Sequence, residues 1–370
     1  MTRSRIVVVF VLALGISCAQ PRPRPSSPPP PPVPAPVPKP VTELRGVWVS
    51  DSTRLDWNEA TARLQRAGFN TMYVNLASAG AAFYPRSKVL SSLVDGGTDE
   101  VARGIELAHR RGIAVHAKLI TFFMFKSPPE FQRRMIRADR VMRGPDGKPA
   151  LQTTYTWLCP TQLANREQLA AEVTEILSRY HVDGLQFDYI RFYEEPTCYC
   201  DHCRAEFERS LGRRVRRWPN DVMGGAYTDQ FYEWRRQVIN ERVNELTNLA
   251  RRLRPGIVVS AAVFPDLERG RHDRAQDWAL WLQRGWMDYV CTMTYRPDVR
   301  EFAELVRKQQ AWAGSRAKIV PGIGSWKFER MNDLWTEIDA TRQLGAPGFV
   351  LFSYDDAEAR DFLPNLTTAR

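Results

Sequence analysis

The stretch VDGLQFDYIRF, Val182 to Phe192, alternates like a buried strand yet closes on an aspartate and an arginine. Strand periodicity puts Leu185, Phe187 and Tyr189 on one face and Gln186, Asp188 and Ile190 on the other. A charge inside a core is costly unless it is paired or used. A carboxylate at the end of a buried strand suits acid/base work. Hydrolysis of a glycosidic bond needs two of them, one to protonate the leaving oxygen and one to act as nucleophile or base. Asp188 is the first candidate. Asp266 in VFPD is taken as the second, with Glu194 and Glu195 in FYEEP, Asp298 and Asp355 competing for the role. Arg191 is placed to hold Asp188 ionised or to bind an acidic substituent on the substrate; an Asp188–Arg191 pair that merely fixes the loop is the plainer reading.

Other strand-end residues suit sugar recognition, where aromatic faces cover a pyranose and polar groups bind its hydroxyls. They are Trp48, Asn75, Lys118, Tyr295, Trp326, Tyr354 and Asp355, expected with Arg191 to bind substrate. TCYCDHCRAEF supplies Cys198, Cys200 and Cys203, a C-x-C-x2-C spacing that lets thiolates converge on a metal. Tetrahedral zinc needs a fourth ligand, and His202 is one candidate. An exported protein also allows disulfides. Cys291, inside an apolar run, reads as a buried thiol.

These residues sit in a repeating frame. Eight apolar runs start at Leu44, Thr71, Ile113, Val182, Ile257, Tyr289, Ala317 and Gly348. Amphipathic helical segments lie between them. WNEATARLQRAG follows Asp56, DEVARGIELAHRRG follows Thr98 and closes at Gly112, and REQLAAEVTEILSRY follows Asn165. DRAQDWALWLQRG closes at Gly285 and NDLWTEIDATRQLG at Gly345. Eightfold strand–helix alternation predicts an α/β fold of the (β/α)8, or TIM-barrel, type. There is no GxGxxG and no phosphate-cradling GxxxxGK[ST]. Insertions are expected after the third strand, roughly 122–163, and after the fourth, roughly 193–227, on the side where barrel enzymes build their sites.

The chain has 370 residues with 44% hydrophobic content, ample for one large domain over 43–370. MTRSR and the apolar IVVVFVLALGIS, too short for a comfortable membrane span, read as a secretory leader over 1–18, with an uncleaved short anchor as the alternative. Its end, Leu14-Gly15-Ile16-Ser17-Cys18, resembles a bacterial lipoprotein signal with Cys18 lipidated, although the leucine stands four places before the cysteine rather than three. Residues 19–42, dominated by proline, predict an extended spacer. The chain is therefore expected to be exported and held to the cell envelope by an N-terminal lipid. The net charge of +10 is spread along the chain; its densest spots, RRVRRW (Arg213 to Trp218) and RRLRP, look like solvated loops or helix ends, and no nucleic-acid partner is expected.

ELRGVWVS, DGLQFDYIRF, QDWALWLQRGWMDYVCTMTY and GFVLFSYDD, in that order, resemble the glycosyl-hydrolase-like family 10. The resemblance implies a (β/α)8 barrel, glycoside hydrolysis, and action on peptidoglycan glycan strands by a bacterial envelope lipoprotein, with Asp188 as the matching catalytic-strand carboxylate. This chain departs from members with two consecutive aspartates, since Tyr189 follows Asp188. The fourth strand also resembles the DGxDxDxE strand of family 18 chitinases, but Ile190 stands where the acid glutamate would be. The cysteine segment resembles the knuckle of family 42 β-galactosidases, which implies Cys159 in WLCP as the fourth ligand and a structural zinc. A non-catalytic glycan-binding lipoprotein, or a catalytic zinc in deacetylation, are the readings from other classes.

Overall fold

Eight parallel strands close on themselves in the computed structural model, which describes residues 43–194, 197–359 and 362–366. They are β1 (Leu44–Val49), β2 (Thr71–Ser78), β3 (Ala114–Ile120), β4 (Gly184–Asp188), β5 (Val258–Val263), β6 (Tyr289–Thr292), β7 (Ile319–Gly324) and β8 (Gly348–Phe352). Each pairs with its neighbour in chain order, and β1 pairs with both β2 and β8, so Trp48 lies between Tyr73 and Phe352 in register. This is the (β/α)8 barrel. The leader 1–18 with Cys18, the spacer 19–42 and Glu195 lie outside the described residues.

Alternation divides the strand residues between two cores. Leu185 and Phe187 join the large cluster between barrel and helices. Burying a side chain like Phe187 fully contributes about 1.5–3 kcal/mol. Trp48, Tyr73, Ala262, Cys291, Val320 and Val350 form a second cluster that fills the lumen. Two glycines make that filling possible. A Cβ at Gly184 would stand 2.3 Å from His116 Nδ1, and one at Gly322 would stand 2.8 Å from the Trp48 ring. Both strands give up a side chain so that a large one fits opposite.

The helices that return the chain between strands include α1 (Trp57–Arg66) and α2 (Glu100–Arg110). Asp56 caps α1 by accepting from Glu59 N at 3.0 Å. The cap of α2 is Asp99, accepting from Ala102 N at 3.2 Å, rather than Thr98. The first insertion carries α3 (Pro129–Arg137). Helix α4 (Leu163–Arg179) begins before Asn165. The Asn165 amide donates to Arg140 O and Cys159 O, both at 2.8 Å, and so fastens the insertion to the helix instead of capping it.

The second insertion carries α5 (Asp201–Leu211) and leads into α6 (Thr228–Leu253), the longest helix among the described residues. DRAQDWALWLQRG is not one helix. The chain forms α7 (Leu267–Asp273), turns through Ala275 at φ +59°, and resumes as α8 (Trp278–Gln283). Helices α9 (Val299–Ala313) and α10 (Met331–Gln343) complete the ring. After Phe352 the strand stops, and α11 (Tyr354–Ala359) replaces the strand expected through SYDD. Among the described residues no helix is long and apolar enough to cross a membrane.

Candidate active site and cysteine cluster

Strand β4 stops at Asp188, four residues short of the expected end, because its carboxylate turns the chain. Asp188 Oδ1 accepts from Tyr189 N at 2.8 Å, and Tyr189 takes a left-handed φ of +53°. The other oxygen, Oδ2, accepts from Lys118 Nζ at 3.1 Å. Lys118 lies on β3 beside Gln186, one layer below Asp188. Both charges are sequestered, with Asp188 7% and Lys118 2% exposed. A buried pair of this kind holds each partner in place strongly, since removing one leaves the other uncompensated.

Below the pair the lumen is a connected polar stack. Trp48 Nε1 donates to Gln186 Oε1 at 2.6 Å, and Gln186 Nε2 donates to Ser260 Oγ at 3.3 Å and Cys291 Sγ at 3.4 Å. Deeper still, the Tyr73 and Tyr289 hydroxyls lie 2.8 Å apart, with Tyr289 reaching His116 Nδ1 at 3.5 Å. Burial pushes the His116 imidazole down to about 4 and the Cys291 thiol up to about 12, so both are neutral at pH 7.

Two aromatic walls flank the pair. On the β6–β8 side, Tyr295 meets Trp326 edge to face at 4.8 Å, and both rings contact Phe352. Burial, followed by the Asp188 charge, pushes the Tyr295 phenol well up, so it keeps its proton as a donor. On the β3–β4 side, Phe123 stacks on Tyr189 at 5.0 Å, with Trp157 5.3 Å from Tyr189. A bridge between the Phe123 and Trp157 backbones ties this wall to the first insertion.

Arg191 belongs to that second wall. Its guanidinium lies over Tyr189 at 4.8 Å and Trp157 at 5.2 Å, and it is Lys118 rather than Arg191 that meets the Asp188 carboxylate. Sequence reasoning missed Phe123, Trp157 and Tyr189. The last two stand in plain view in TYTWLCP and FDYIRF, but nothing local says that they meet.

The remaining candidates separate. Trp48, 1% exposed, is lumen filling beneath the mouth. Asn75 donates to Ser50 O at 2.7 Å, and its buried Oδ1 has no partner. Asp51 is ion-paired with Lys126. Asp51, Tyr354 and Asp355 line a depression of about 440 Å3 beside the β1 and β8 loops, with Tyr354 buried and Asp355 exposed. Asp266 caps α7 by accepting from Arg269 N at 2.9 Å, and Asp298 caps α9 by accepting from Arg300 N at 2.8 Å. Glu194 is exposed and ion-paired with Arg274 at 2.7 Å.

Cys159, Cys198, Cys200 and Cys203 converge as free, buried thiols, with all four sulfurs within 4.8 Å of one another. Cys159 Sγ lies 3.4 Å from Cys203 Sγ and 3.8 Å from Cys200 Sγ. Four sulfurs around one zinc at about 2.3 Å stand about 3.8 Å apart, so the spacing fits a tetrahedral ion. Backbone N–H groups of Arg143 and Cys203 donate to Cys198 and Cys200 Sγ, the outer-shell support typical of a thiolate site. Burial pushes the Cys198 and Cys203 thiols up, while neighbouring thiols donating to Cys200 hold its sulfur low. His202 is engaged elsewhere, its Nε2 3.1 Å from Thr161 O. A four-sulfur site leaves no coordination position open for catalysis.

A closed parallel barrel with a strand-end carboxylate between aromatic walls is the build of a barrel glycosidase, and this chain is a glycoside hydrolase. It belongs to the Glycosyl hydrolase-like 10 family, whose model matches residues 43–323. Glycosyl hydrolase DigH of Escherichia coli (strain K12) is 24% identical over 353 residues, covering 77% of this chain and 73% of that protein. The glycoside hydrolase domain of PgaB (BpsB) from Bordetella bronchiseptica superposes with a TM-score of 0.68 at 14% identity, over 89% of this chain and all of that one. A GH42 β-galactosidase from G. stearothermophilus shares the fold at a TM-score of 0.59 and 12% identity, over 89% of this chain and 57% of its own.

Proposed function

We propose that the chain hydrolyses a bacterial envelope glycan, the glycan strands of peptidoglycan, from a lipid anchor at Cys18 and a proline-rich spacer over 19–42. The observation that carries the hydrolytic site is the buried Asp188–Lys118 pair between two aromatic walls at the barrel mouth. The exported leader and the family membership support the substrate and its compartment.

Asp188, ion-paired with Lys118, takes the charged role of nucleophile or base. The proton for the leaving oxygen comes from a second carboxyl on the loops after β4 and β5, where Glu194 and Asp266 stand. The half-buried Tyr295 and Trp326 rings cover a sugar face, and the Tyr295 hydroxyl donates to the sugar. Asp355 and Tyr354 extend the surface toward the next sugar. The four cysteines hold a structural zinc that shapes the insertions after β3 and β4.

The test is sugar release from purified peptidoglycan, with and without its stem peptides. Asp188→Asn is expected to abolish release, and Asp266→Asn and Glu194→Gln identify the second carboxyl by which of them does the same. Release that survives Asp188→Asn would overturn the assignment. Lipid labelling that survives Cys18→Ser would overturn the anchor.

A further inference from the structure

The densest positive segment of the chain plays no part in the site described so far. It joins α5 to α6 and is pinned from below. Val215 is fully buried; its N–H donates to Glu208 Oε1 and its carbonyl accepts from Arg204 Nη2, both at 3.0 Å. Trp218 Nε1 donates to Tyr199 O at 3.1 Å. Arg217 is taken up by Asp221, through Nε at 3.0 Å and Nη2 at 2.8 Å. Beside these anchors Arg213, Arg214 and Arg216 are exposed, and among the described residues they take part in no ion pair. Glu208, whose ionisation feels Arg214, is already occupied by Arg204 and Val215 N–H. The arginines rim a depression of about 770 Å3 that the Arg217–Asp221 pair and Tyr227 also line. Three like charges on a fixed loop repel one another, and a bound anion relieves that repulsion.

Topology sets where the depression faces. Helix α6 runs antiparallel to the strands it links, so its start at Thr228 lies on the same barrel face as Asp188. Arg235 on α6 stacks on Phe192, four residues beyond Asp188, at 4.8 Å.

We propose that Arg213, Arg214 and Arg216 form an exosite for an acidic glycan, binding carboxylates of the polymer outside the cleft while Tyr227 faces a sugar ring. Guanidinium forks match carboxylates two bonds at a time, and a place on the same barrel face as Asp188 suits a long chain held at two points. The inference rests on the chain being a hydrolase of a polymeric glycan, but its test does not need turnover. The full-length protein is titrated with polygalacturonate and, as the uncharged counterpart, with its methyl ester. Binding is expected to polygalacturonate alone, to weaken with added salt, and to fall about tenfold in the R213Q/R214Q/R216Q variant, the size expected for three exposed charge pairs. The melting temperature and the rate on short uncharged oligosaccharides are expected to stay unchanged. Equal affinity of the variant and the unaltered protein would overturn the exosite, even with hydrolysis intact. Arginine-dependent binding to vesicles of phosphatidylglycerol, with none to polygalacturonate, would overturn it in favour of membrane docking. Absence of hydrolysis on every glycan, with arginine-dependent polygalacturonate binding retained, would sink the catalytic reading and leave the exosite standing.

Discussion

Asp188 and Lys118 depend on each other. With Lys118→Met, the carboxylate keeps only the Tyr189 N–H and stays buried. That change is expected to destabilise the fold by about 3–5 kcal/mol, read by denaturant unfolding, and to lower kcat. A stable, fully active K118M would refute the pairing as structurally important. Glu172 on α4 gives a prediction about pH. It is fully buried; one oxygen accepts from Gln168 Nε2 at 2.9 Å, the other has no partner, and burial pushes the carboxyl up from 4.5 to about 8. Below pH 4.5 both folded and unfolded chains hold the proton, so burial adds no penalty there. Between 4.5 and about 8 the unfolded chain has released it and the folded chain has not, so stability falls as pH rises through that window. Glu172→Gln removes the loss, a gain of roughly 3 kcal/mol at pH 7 that vanishes at pH 4. A gain independent of pH in thermal melts would contradict the assignment.

At the scale of elements, two features concentrate the consequences. The β3–β4 pair places His116 against Gly184, so Gly184→Ala forces a Cβ into the imidazole. The expected cost is about 1–3 kcal/mol of overpacking, and an unchanged melting temperature would mean that the lumen yields there. The insertions after β3 and β4 meet at the cysteines, Cys159 from one and Cys198, Cys200 and Cys203 from the other, and again where Trp157 lies 5.3 Å from Tyr193. Cys203→Ser is expected to abolish stoichiometric zinc in elemental analysis and to lower the melting temperature. Cys291→Ala, in the lumen and apart from the cluster, is expected to keep the metal. Full zinc content in C203S would show that the metal sits elsewhere.

At the scale of the whole barrel, its first strand is fastened to the last described residues and to α10. Arg45 on β1 donates to Leu366 O at 3.2 Å, and Arg342 on α10 grips Glu43 through bonds of 2.8 and 3.0 Å. Phe362, Leu363 and Leu366 are each buried to 4% exposure or less. Ending the chain at Ala359 uncovers the surface they pack on and removes the Arg45 acceptor. Each buried side chain contributes about 1.5–3 kcal/mol, so a loss of several kcal/mol is expected in equilibrium unfolding. An unaltered midpoint would show that this tail only covers the barrel.

The barrel was legible in the sequence because strands and helices announce themselves by local periodicity, and eight alternations leave few ways to close. Asp188 stood out as a charge in an apolar strand, and three of the four cysteines as a spacing. Partners far apart in sequence carry no local mark. Arg191 lies three residues from Asp188, yet Lys118, 70 positions away, is the residue that meets it, because neighbouring strands fix side chains across the sheet while a left-handed turn at Tyr189 swings Arg191 into an aromatic wall. Thr98 and Asn165 read as helix caps from their type alone, but register gave the cap to Asp99 and spent Asn165 on fastening an insertion. Sequence determined the repeating frame and its chemistry-bearing positions. Tertiary structure alone decided which of them touch, since a contact between distant residues is a property of the closed barrel and not of any segment within it.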